Sequence, residues 1–318
     1  MQLDEKVQIV VSMFPPSCIG RNQLTPRFTA IVNILTVEYP PQEDLLLVYT
    51  EYFRALLRAR RIEEGLCKPF AALFVEVFAA IKKNFSVDEH RHYSITPKSL
   101  LEIFKNLTLY ELPDQSALLE ALLNEFNASY RNRIVGQERK GRFDQLFAAA
   151  ARTHFKTAPT AGLYSFLSGR YVRVKKEDYL GALKGALVQF EREYQEITYV
   201  MLEEAVGYVC SLEKMLASSN NPNVLMVGRS GVGRQTSLQL AALLLKLDLL
   251  RLPTLREFTA REFKKEMKAI LEKVANDNKR AVLFLEDHNF SQPEFIEMVN
   301  SLIISGEIPG LFGADEIE

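Results

Sequence analysis

A glycine-rich stretch with the sequence "GRSGVGRQT" could bind phosphate. In phosphate-binding loops of this type, glycines let successive backbone N–H groups converge on the phosphates at a helix N-terminus. A Lys then reaches the phosphates and a Ser or Thr hydroxyl holds magnesium. Here Arg234 stands at the lysine position and Gln235 at the hydroxyl position. The spacing therefore predicts a phosphate site whose metal ligand has changed.

The two substitutions differ in their consequences. Arg234 keeps the positive charge in a wider, forked head that can bind phosphate bidentately. An amide oxygen on Gln235 could in principle reach a metal, and Thr236 lies one residue late, so the sequence leaves magnesium coordination open. The residues that we predict to bind nucleotide are Gly228, Arg229, Ser230, Gly231, Val232, Gly233, Arg234, Gln235 and Thr236.

A pair of acidic residues follows the apolar run "VLFL". In ATPases with such loops, Asp and then Glu end a buried strand: the first acts through the magnesium shell and the second polarises the attacking water. Here the order is inverted, which gives Glu286 the metal position and Asp287 the catalytic position. A base one methylene shorter predicts slow hydrolysis, because catalysis depends on close placement of the water. The alternative is that both acids merely cap a strand end.

The surrounding periodicities supply the elements that must position these groups. Residues 199–218, 234–247, 260–279 and 292–305 have the spacing of helices, and 223–228 and 280–287 read as buried strands. Strand, loop, helix and a later strand with an acidic end follow in the order of a P-loop ATPase core. A plain glycine-rich turn in an α/β protein is the alternative.

The first half of the chain has a different pattern. Two β-branched runs, "VQIVVSMF" and "TAIVNILTVEYP", flank a turn-rich segment and predict strands at the end of an α/β domain. From residue 41 to 155 the apolar residues recur at three- and four-residue spacing, which predicts a helical subdomain. Residues 156–190 read as a connector. A domain rarely opens on core strands, so we expect the chain to be a fragment.

Composition narrows the classes of function. The 318 residues are 47% hydrophobic and carry a net charge of −1, which favours a globular protein of two domains and argues against nucleic-acid partners. No apolar run reaches about 18 residues, so we expect no membrane insertion and an intracellular, soluble protein.

Cys18, Cys67 and Cys210 are predicted to be small buried hydrophobes. His90 and His92 are predicted to lie in a solvated turn, although their spacing could also suit a metal pair.

Several segments resemble dynein heavy chains. The stretches "NVLMVGRSGVGRQTSLQLAA" and "LFLEDHNFSQPEFIEMVNSLIISGEIPGLF" are similar to the fourth AAA+ module, in which Gly-Arg-Gln is the usual loop variant. The stretches "PPSCIGRNQLTPRF" and "YSITPKSLLEIFKNLTLYEL" resemble the end of the third module and its small subdomain. Within the family, the loop and the acidic segment look most like the dynein-2 group, the motors of retrograde intraflagellar transport.

This resemblance implies a fold class and a domain organisation. We expect a P-loop AAA+ large domain, with a parallel sheet and helices, preceded by a helical AAA+ small subdomain. Residues 1–40 would end the third large domain, 41–155 would form its small subdomain, 156–190 would connect, and 191–318 would be a truncated fourth large domain. Loop amides, Arg234 and Glu286 would hold ATP or ADP, with or without Mg²⁺, in a regulatory or structural role.

The resemblance also implies a catalytic arginine and partners. In the family, an arginine before the last strand of one large domain reaches the neighbouring nucleotide; "LTPRF" gives Arg27 that position, with Arg21 nearby as the alternative. Phe14 departs from the polar residue expected after the third module's sensing strand. Implied partners are the rest of the ring in the same chain, microtubules, light intermediate and light chains, and a second heavy chain. Cytoplasm, cytoskeleton and cilium or flagellum are the implied locations.

Two other functions remain open from the sequence. The chain could be a non-catalytic scaffold with a vestigial nucleotide site, or an independent small ATPase. The full-length polypeptide would be an ATPase motor, whereas we expect the fragment alone to hydrolyse ATP slowly or not at all. Loss of nucleotide-dependent stabilisation in Arg234→Ala would distinguish nucleotide binding from the scaffold.

Overall fold

The computed structural model describes residues 8–13, 23–166, 170–193, 203–218, 223–253 and 259–313. The chain divides into two compact units, Met1–Pro41 and Gln42–Glu318. Helices predominate, and the described residues also form one antiparallel and one parallel pair of strands. The fold class predicted from the sequence, α/β together with a helical subdomain, is therefore confirmed.

The described residues of the first unit include one short helix, α1 (Pro26–Thr29). The Thr25 side chain caps its N-terminus by accepting from the backbone N–H of Phe28. The strands predicted for 7–14 and 29–40 are wrong as far as those residues are described, since 8–13 and 33–40 form no strand. A strand is stabilised by a paired neighbour, and β-branched character alone does not supply one.

Five helices form the first part of the second unit. They are α2 (Gln42–Arg60), α3 (Cys67–Asn84), α4 (Pro97–Leu107), α5 (Gln115–Ser129) and α6 (Gln137–Phe155). Aromatic rings dominate their common core, in which Phe74 meets Phe53 and Phe126 edge to face, both at 5.5 Å between centroids. Such pairs contribute about 0.5–1.5 kcal/mol each beyond the burial of their area. The apolar spacing of this region thus forms the helices that it predicts.

A small hairpin and a helix occupy the region predicted to be a connector. Strands β1 (Tyr164–Ser165) and β2 (Val172–Arg173) pair antiparallel, and α7 (Lys176–Glu193) follows. Tyr164 and Tyr171 belong to the core of the five helices, whereas Tyr179 of α7 belongs to the next core along the chain. The segment is therefore built into both cores.

The last part of the second unit alternates helices and strands. Its elements are α8 (Glu203–Ala217), α9 (Arg234–Leu244), β3 (Asp248–Arg251), α10 (Ala260–Asp277), β4 (Ala281–Phe284) and α11 (Pro293–Ser305). Strands β3 and β4 are parallel, and their register pairs Arg251 with Phe284. All four predicted helices and the strand at 280–287 are present in the described residues. Strand β3 was not predicted, because the leucine-rich run before it reads as one continuous helix.

The strand predicted at 223–228 is wrong. Residues 223–229 are not assigned to a strand, although their side chains alternate as in one. Val224 and Met226 pack against the core that contains α8 and α9, whereas Leu225 and Val227 are 89% and 87% exposed. In the described part of the chain, β4 pairs with β3 alone. The segment thus has the side-chain pattern of a strand without a ladder partner.

Two apolar clusters support this second half. In one, α8 contributes Val209 and Leu212 and α9 contributes Leu238 and Ala241, so these helices pack on each other. The other contains Phe263 of α10 and Phe295 of α11, whose rings stack at 4.6 Å, together with residues around them. The helix that follows the glycine-rich loop therefore rests on α8.

The remaining predicted features fall at scattered places. Cys67 and Cys210 are buried free cysteines, as predicted, and Cys18 lies outside the described residues. In the turn with His90, the His92 Nε2 lies 3.0 Å from the carbonyl oxygen of Arg133. Across the described ranges, no three His, Cys, Asp or Glu side chains are grouped so that they could hold a metal ion. Nor do those ranges include a helix with the length and apolar character needed to cross a bilayer.

Candidate nucleotide site

The glycine-rich loop has the backbone conformation that its sequence requires. Gly231 and Gly233 have φ values of +83° and +79°, in the left-handed region that other residues adopt at a cost. Left-handed residues are a feature of tight loops whose successive backbone N–H groups form a concave surface. Concave loops of successive N–H groups bind anions. The glycine spacing therefore has a geometric reason at both positions.

The start of the loop is tightly packed. A Cβ placed on Gly228 would lie 3.1 Å from Val232 Cγ2 and 3.7 Å from Arg234 Cδ. The first distance is shorter than ordinary contact, so a side chain would displace Val232. The second places the aliphatic part of Arg234 over the beginning of the loop. Arg234 thus folds back along the loop rather than away from it.

Helix α9 begins directly at the end of this loop. Its N-cap is Gly233, which has no side chain to accept from the first-turn N–H groups. The first intrahelical bond runs from the Ser237 N–H to the Gly233 carbonyl at 2.9 Å. The N–H groups of the first turn and the positive end of the helix dipole are suited to an anion. Together with Arg234, this geometry fits the phosphate groups of a nucleotide.

Gln235 has a cationic neighbour that sequence reasoning missed. With its Oε1 turned to Arg251, the amide accepts from Nη1 and Nη2 of the guanidinium, each at 2.8 Å. The opposite amide orientation would set donors against donors, so the contact fixes which way the side chain points. Arg251 is the last residue of β3, and its guanidinium carbon also lies 5.3 Å from the centre of the Phe284 ring. The cation is therefore held between the first turn of α9 and strand β4.

This contact bears directly on magnesium. The amide oxygen of Gln235, the atom that could have replaced a Ser or Thr hydroxyl, is committed to a guanidinium. Thr236 is half-buried one residue further into the helix. A positive group at the metal-ligand position also repels a second cation. The loop therefore fits phosphate, and the side chain at the metal position does not fit Mg²⁺.

The acidic pair after β4 is used differently by its two members. Glu286 is the N-cap of a short 3₁₀ turn, Asp287–Phe290, and its carboxylate accepts from the backbone N–H of Asn289. In return the Asn289 side chain accepts from the Glu286 N–H at 2.8 Å. Asp287 is exposed in the first position of that turn. The geometry matches the capping alternative for Glu286, and its metal role and the catalytic role of Asp287 stay predictions.

A buried polar network joins α8 to the elements before it. Lys214 Nζ is 2.7 Å from Glu125 Oε1 of α5, and the two side chains are 8% and 0% exposed. The neighbouring Glu213 accepts from the Ser165 hydroxyl at 2.6 Å and from the Tyr179 hydroxyl at 2.8 Å. Helix α8 is thus tied by charges to the five-helix part and by apolar contacts to α9. It connects the loop to the rest of the unit.

The thiol of Cys210 lies beside this network. Its Sγ donates to the Tyr164 carbonyl oxygen at 3.3 Å. Burial, and then the negative charge of Glu213, raise the pKa of the Cys210 thiol to about 11. Burial also raises the pKa of Tyr164, to about 12. The Cys210 thiol and the Tyr164 hydroxyl therefore stay neutral near pH 7. Both groups contribute to the packing of α8 against β1 rather than to a reaction.

The predicted arginine Arg27 lies in the first unit. It is exposed in α1, a helix without a buried residue. Its role in a neighbouring module's site stays a prediction. The alternative, Arg21, and the family departure at Phe14 fall outside the described residues.

The sequence carries a signal for some of the residues that it did not predict and none for others. Asn289 lies three positions after Glu286, the spacing of a reciprocal cap, and could have been found. Arg251 could not, because its partner Gln235 lies on another element and only the fold brings them together. Lys214 and Glu125 likewise pair across elements distant in sequence.

Comparison with known families agrees with this architecture. Residues 197–318 match the family model described as "P-loop containing dynein motor region D4". Residues 52–140 match that described as "Dynein heavy chain, ATPase lid domain". The chain belongs to the dynein heavy chain family. The dynein lid match falls on the five-helix part and the dynein P-loop match covers the glycine-rich loop and the acidic pair.

Individual dynein relatives align over nearly the whole chain. Cytoplasmic dynein 2 heavy chain 1 of Tripneustes gratilla is 29% identical over 98% of this chain and 8% of its own length. The protein of the same name from Chlamydomonas reinhardtii is 27% identical over 98% of this chain and 8% of its own. A cytoplasmic dynein heavy chain of Caenorhabditis elegans is 27% identical over 98% and 7%. The chain thus spans less than a tenth of the length of these dyneins.

Proposed function

We propose that this chain binds an adenine nucleotide, ATP or ADP, on the loop from Gly228 to Thr236. The observation that carries the proposal is the loop conformation: two left-handed glycines lead into a helix whose N-cap carries no competing side chain. Arg234, folded back along the loop, supplies positive charge to the phosphates. The similarity of this segment to a dynein P-loop region supports the same site.

We infer a regulatory or structural role for that nucleotide. Bound phosphate would give the loop N–H groups and the Arg234 guanidinium a negatively charged hydrogen-bond acceptor. The bound nucleotide would therefore stabilise the packing of α9 on α8. Hydrolysis is expected to be slow or absent. The Glu286 carboxylate is engaged in a cap, and Asp287 is a short base on an exposed turn.

At the level of the whole protein, we propose a part in a dynein motor ring. The names of the dynein-2 relatives favour the motor of retrograde intraflagellar transport, with cytoplasm, cytoskeleton and cilium as the location. Its partners would be the other modules of the ring, microtubules, light intermediate and light chains, and a second heavy chain. In that setting the nucleotide would couple this module to its neighbours through α8, which contacts both halves of the second unit.

A nucleotide titration of the 318-residue chain tests the proposal. We expect ATP or ADP to raise the unfolding temperature of the wild type, because a ligand at a hundred times its Kd stabilises by about 2.7 kcal/mol. Arg234→Ala should lose most of that shift. Arg261→Ala, on the exposed first turn of α10, should retain it and serves as the matched control. No shift at millimolar nucleotide would instead favour a non-catalytic scaffold with a vestigial site.

A further inference from the structure

We propose that Arg251 is a phosphate ligand of this site and takes the place of magnesium. The inference rests on the proposed nucleotide function and specifies its chemistry: the loop binds the di- or triphosphate without a metal. Its basis is the position of the Arg251 guanidinium, bonded to Gln235 at the residue where such loops normally hold the ion.

The contact leaves the guanidinium able to bind an anion. A guanidinium has five N–H donors. Gln235 takes one from each Nη atom, at 2.8 Å, so three donors remain. Arg251 is exposed, as is Gln235, and an incoming phosphate can reach them from solvent. The planar fork suits phosphate oxygens, which it binds with two parallel hydrogen bonds.

The position of the guanidinium is set before any ligand arrives. Strand pairing places Arg251 opposite Phe284, and the guanidinium carbon lies 5.3 Å from the centre of that ring. The aromatic face attracts the cation. With Gln235 on one side and Phe284 on the other, the side chain loses little further freedom when phosphate binds. A ligand group that is already ordered costs less to engage.

The charges account for the absence of a metal requirement. Arg234 and Arg251 together bring two positive charges to the loop, whereas a Lys and one divalent ion would bring three. A magnesium ion at the first turn of α9 would be repelled by the guanidinium bonded to Gln235. It would also find that amide oxygen occupied. The site is therefore built for metal-free phosphate, and removal of magnesium should not weaken binding.

The test compares nucleotide affinity with magnesium and with EDTA by calorimetry on the 318-residue chain, using ADP and ATP. For the wild type we expect the two Kd values to agree within about threefold, which is half a decade in affinity. Arg251→Gln should weaken binding about tenfold or more in EDTA, as loss of a charge-assisted hydrogen bond does. Arg261→Gln is the matched control and should leave both Kd values unchanged. Circular dichroism verifies that each variant is folded.

A second variant keeps the test decisive if Arg251→Gln does not fold. Gln235→Thr removes the acceptor that holds Arg251 and introduces the hydroxyl that magnesium-binding loops carry. We expect this variant to bind more tightly with magnesium than with EDTA, by about tenfold. Equal affinity in both conditions would count against the metal-replacing role.

The outcomes separate this inference from the proposed function. If the wild type binds nucleotide only with magnesium, or binds in EDTA as tightly after Arg251→Gln, nucleotide binding stands and the role of Arg251 is wrong. If the wild type binds in neither condition, both are wrong. Binding in EDTA that Arg251→Gln weakens and Arg261→Gln does not supports both.

Discussion

Glu125 is a fully buried carboxylate whose oxygens all have partners. Its Oε1 accepts from Lys214 at 2.7 Å and from the Tyr110 hydroxyl at 2.6 Å, and its Oε2 accepts from Asn106 at 3.0 Å. Burial, and then the charge of Glu125, raise the pKa of Tyr110 well above its ordinary value. Removal of one partner from such a pair leaves an uncompensated buried charge, which is more costly than the pair is favourable.

We therefore expect Lys214→Met to destabilise the chain by about 3–5 kcal/mol in urea unfolding. Adding Glu125→Gln should recover part of that loss, because the unpaired charge disappears with it. The control is Lys268→Met, which breaks a partly exposed 4.0 Å pair with Glu272 and a cation–π contact 5.3 Å from the centre of the Phe312 ring, and which should cost about 1 kcal/mol or less. Equal costs for the two lysines would contradict the role of the buried pair.

Cys210 should make stability fall at alkaline pH. Its pKa is raised to about 11 in the folded chain, first by burial and then by Glu213, against about 8.5 when unfolded. A raised pKa contributes stability below the unfolded value and loses it as pH rises towards the folded value. The free energy of unfolding, measured in urea from pH 8 to 10, should therefore fall more steeply with pH for the wild type than for Cys210→Ala. Parallel slopes would show that this thiol is not the titrating group.

Among the elements, α10 has the best-defined start. Thr259 accepts from the Glu262 N–H, and the Glu262 carboxylate accepts from the Thr259 N–H at 2.9 Å. The backbone hydrogen bond, and then the Thr259 hydroxyl, lower the pKa of Glu262. Thr259→Ala should cost about 1 kcal/mol. A matched change, Thr153→Ala in the last turn of α6, removes a hydroxyl that donates to the Ala149 carbonyl and should cost less.

The cost of Thr259→Ala should also depend on pH. A lowered pKa contributes stability above the unfolded value, about 4.3 for Glu, and this is lost as pH falls through the folded value. Chemical unfolding of wild type and variant at pH 7 and at pH 3 measures the difference. We expect the gap between the two proteins to narrow at the lower pH, and a constant gap would be evidence against the reciprocal cap.

Elements differ in how far the sequence predicts them. Helices such as α10 follow from local spacing, because each turn buries residues three and four apart. Strands depend on partners far along the chain, which local spacing does not reveal. The sequence therefore does not predict β3, and it predicts a strand at 223–228 where the described residues form no ladder. The same reasoning applies to the site. Gly231, Gly233 and Arg234 were read from spacing, whereas the guanidinium that faces Gln235 arrives from another strand.

At the scale of the whole molecule, much apolar side-chain surface is exposed. In the first unit Leu35 and Val37 are 86% and 83% exposed, and in the second Leu225 and Val227 are similarly open. Exposed apolar stretches of extended chain favour association between copies. We expect the double variant Leu35→Glu and Val37→Lys, which keeps the net charge, to reduce self-association of the 318-residue chain.

Sedimentation velocity over a range of concentrations measures that effect. The variant should sediment as a smaller species without a change in unfolding temperature, because both side chains are largely exposed in the folded chain. Glu38→Gln, beside them in the same extended segment, is the control. A wild type that sediments as a single species at every concentration, or an unchanged sedimentation coefficient in the double variant, would contradict association through this segment.

Helix α8 contributes Lys214 to the buried pair with Glu125 and contributes Leu212 and Leu216 to the core that it shares with α9. This has a consequence for inheritance. A recombination event could join the five-helix part of one ancestor to the loop region of another. Unless it carries Glu125 and Lys214 together, one of these charges is left buried without its partner. The two parts are therefore expected to evolve as one unit of exchange, with tolerated crossovers falling outside residues 125–214.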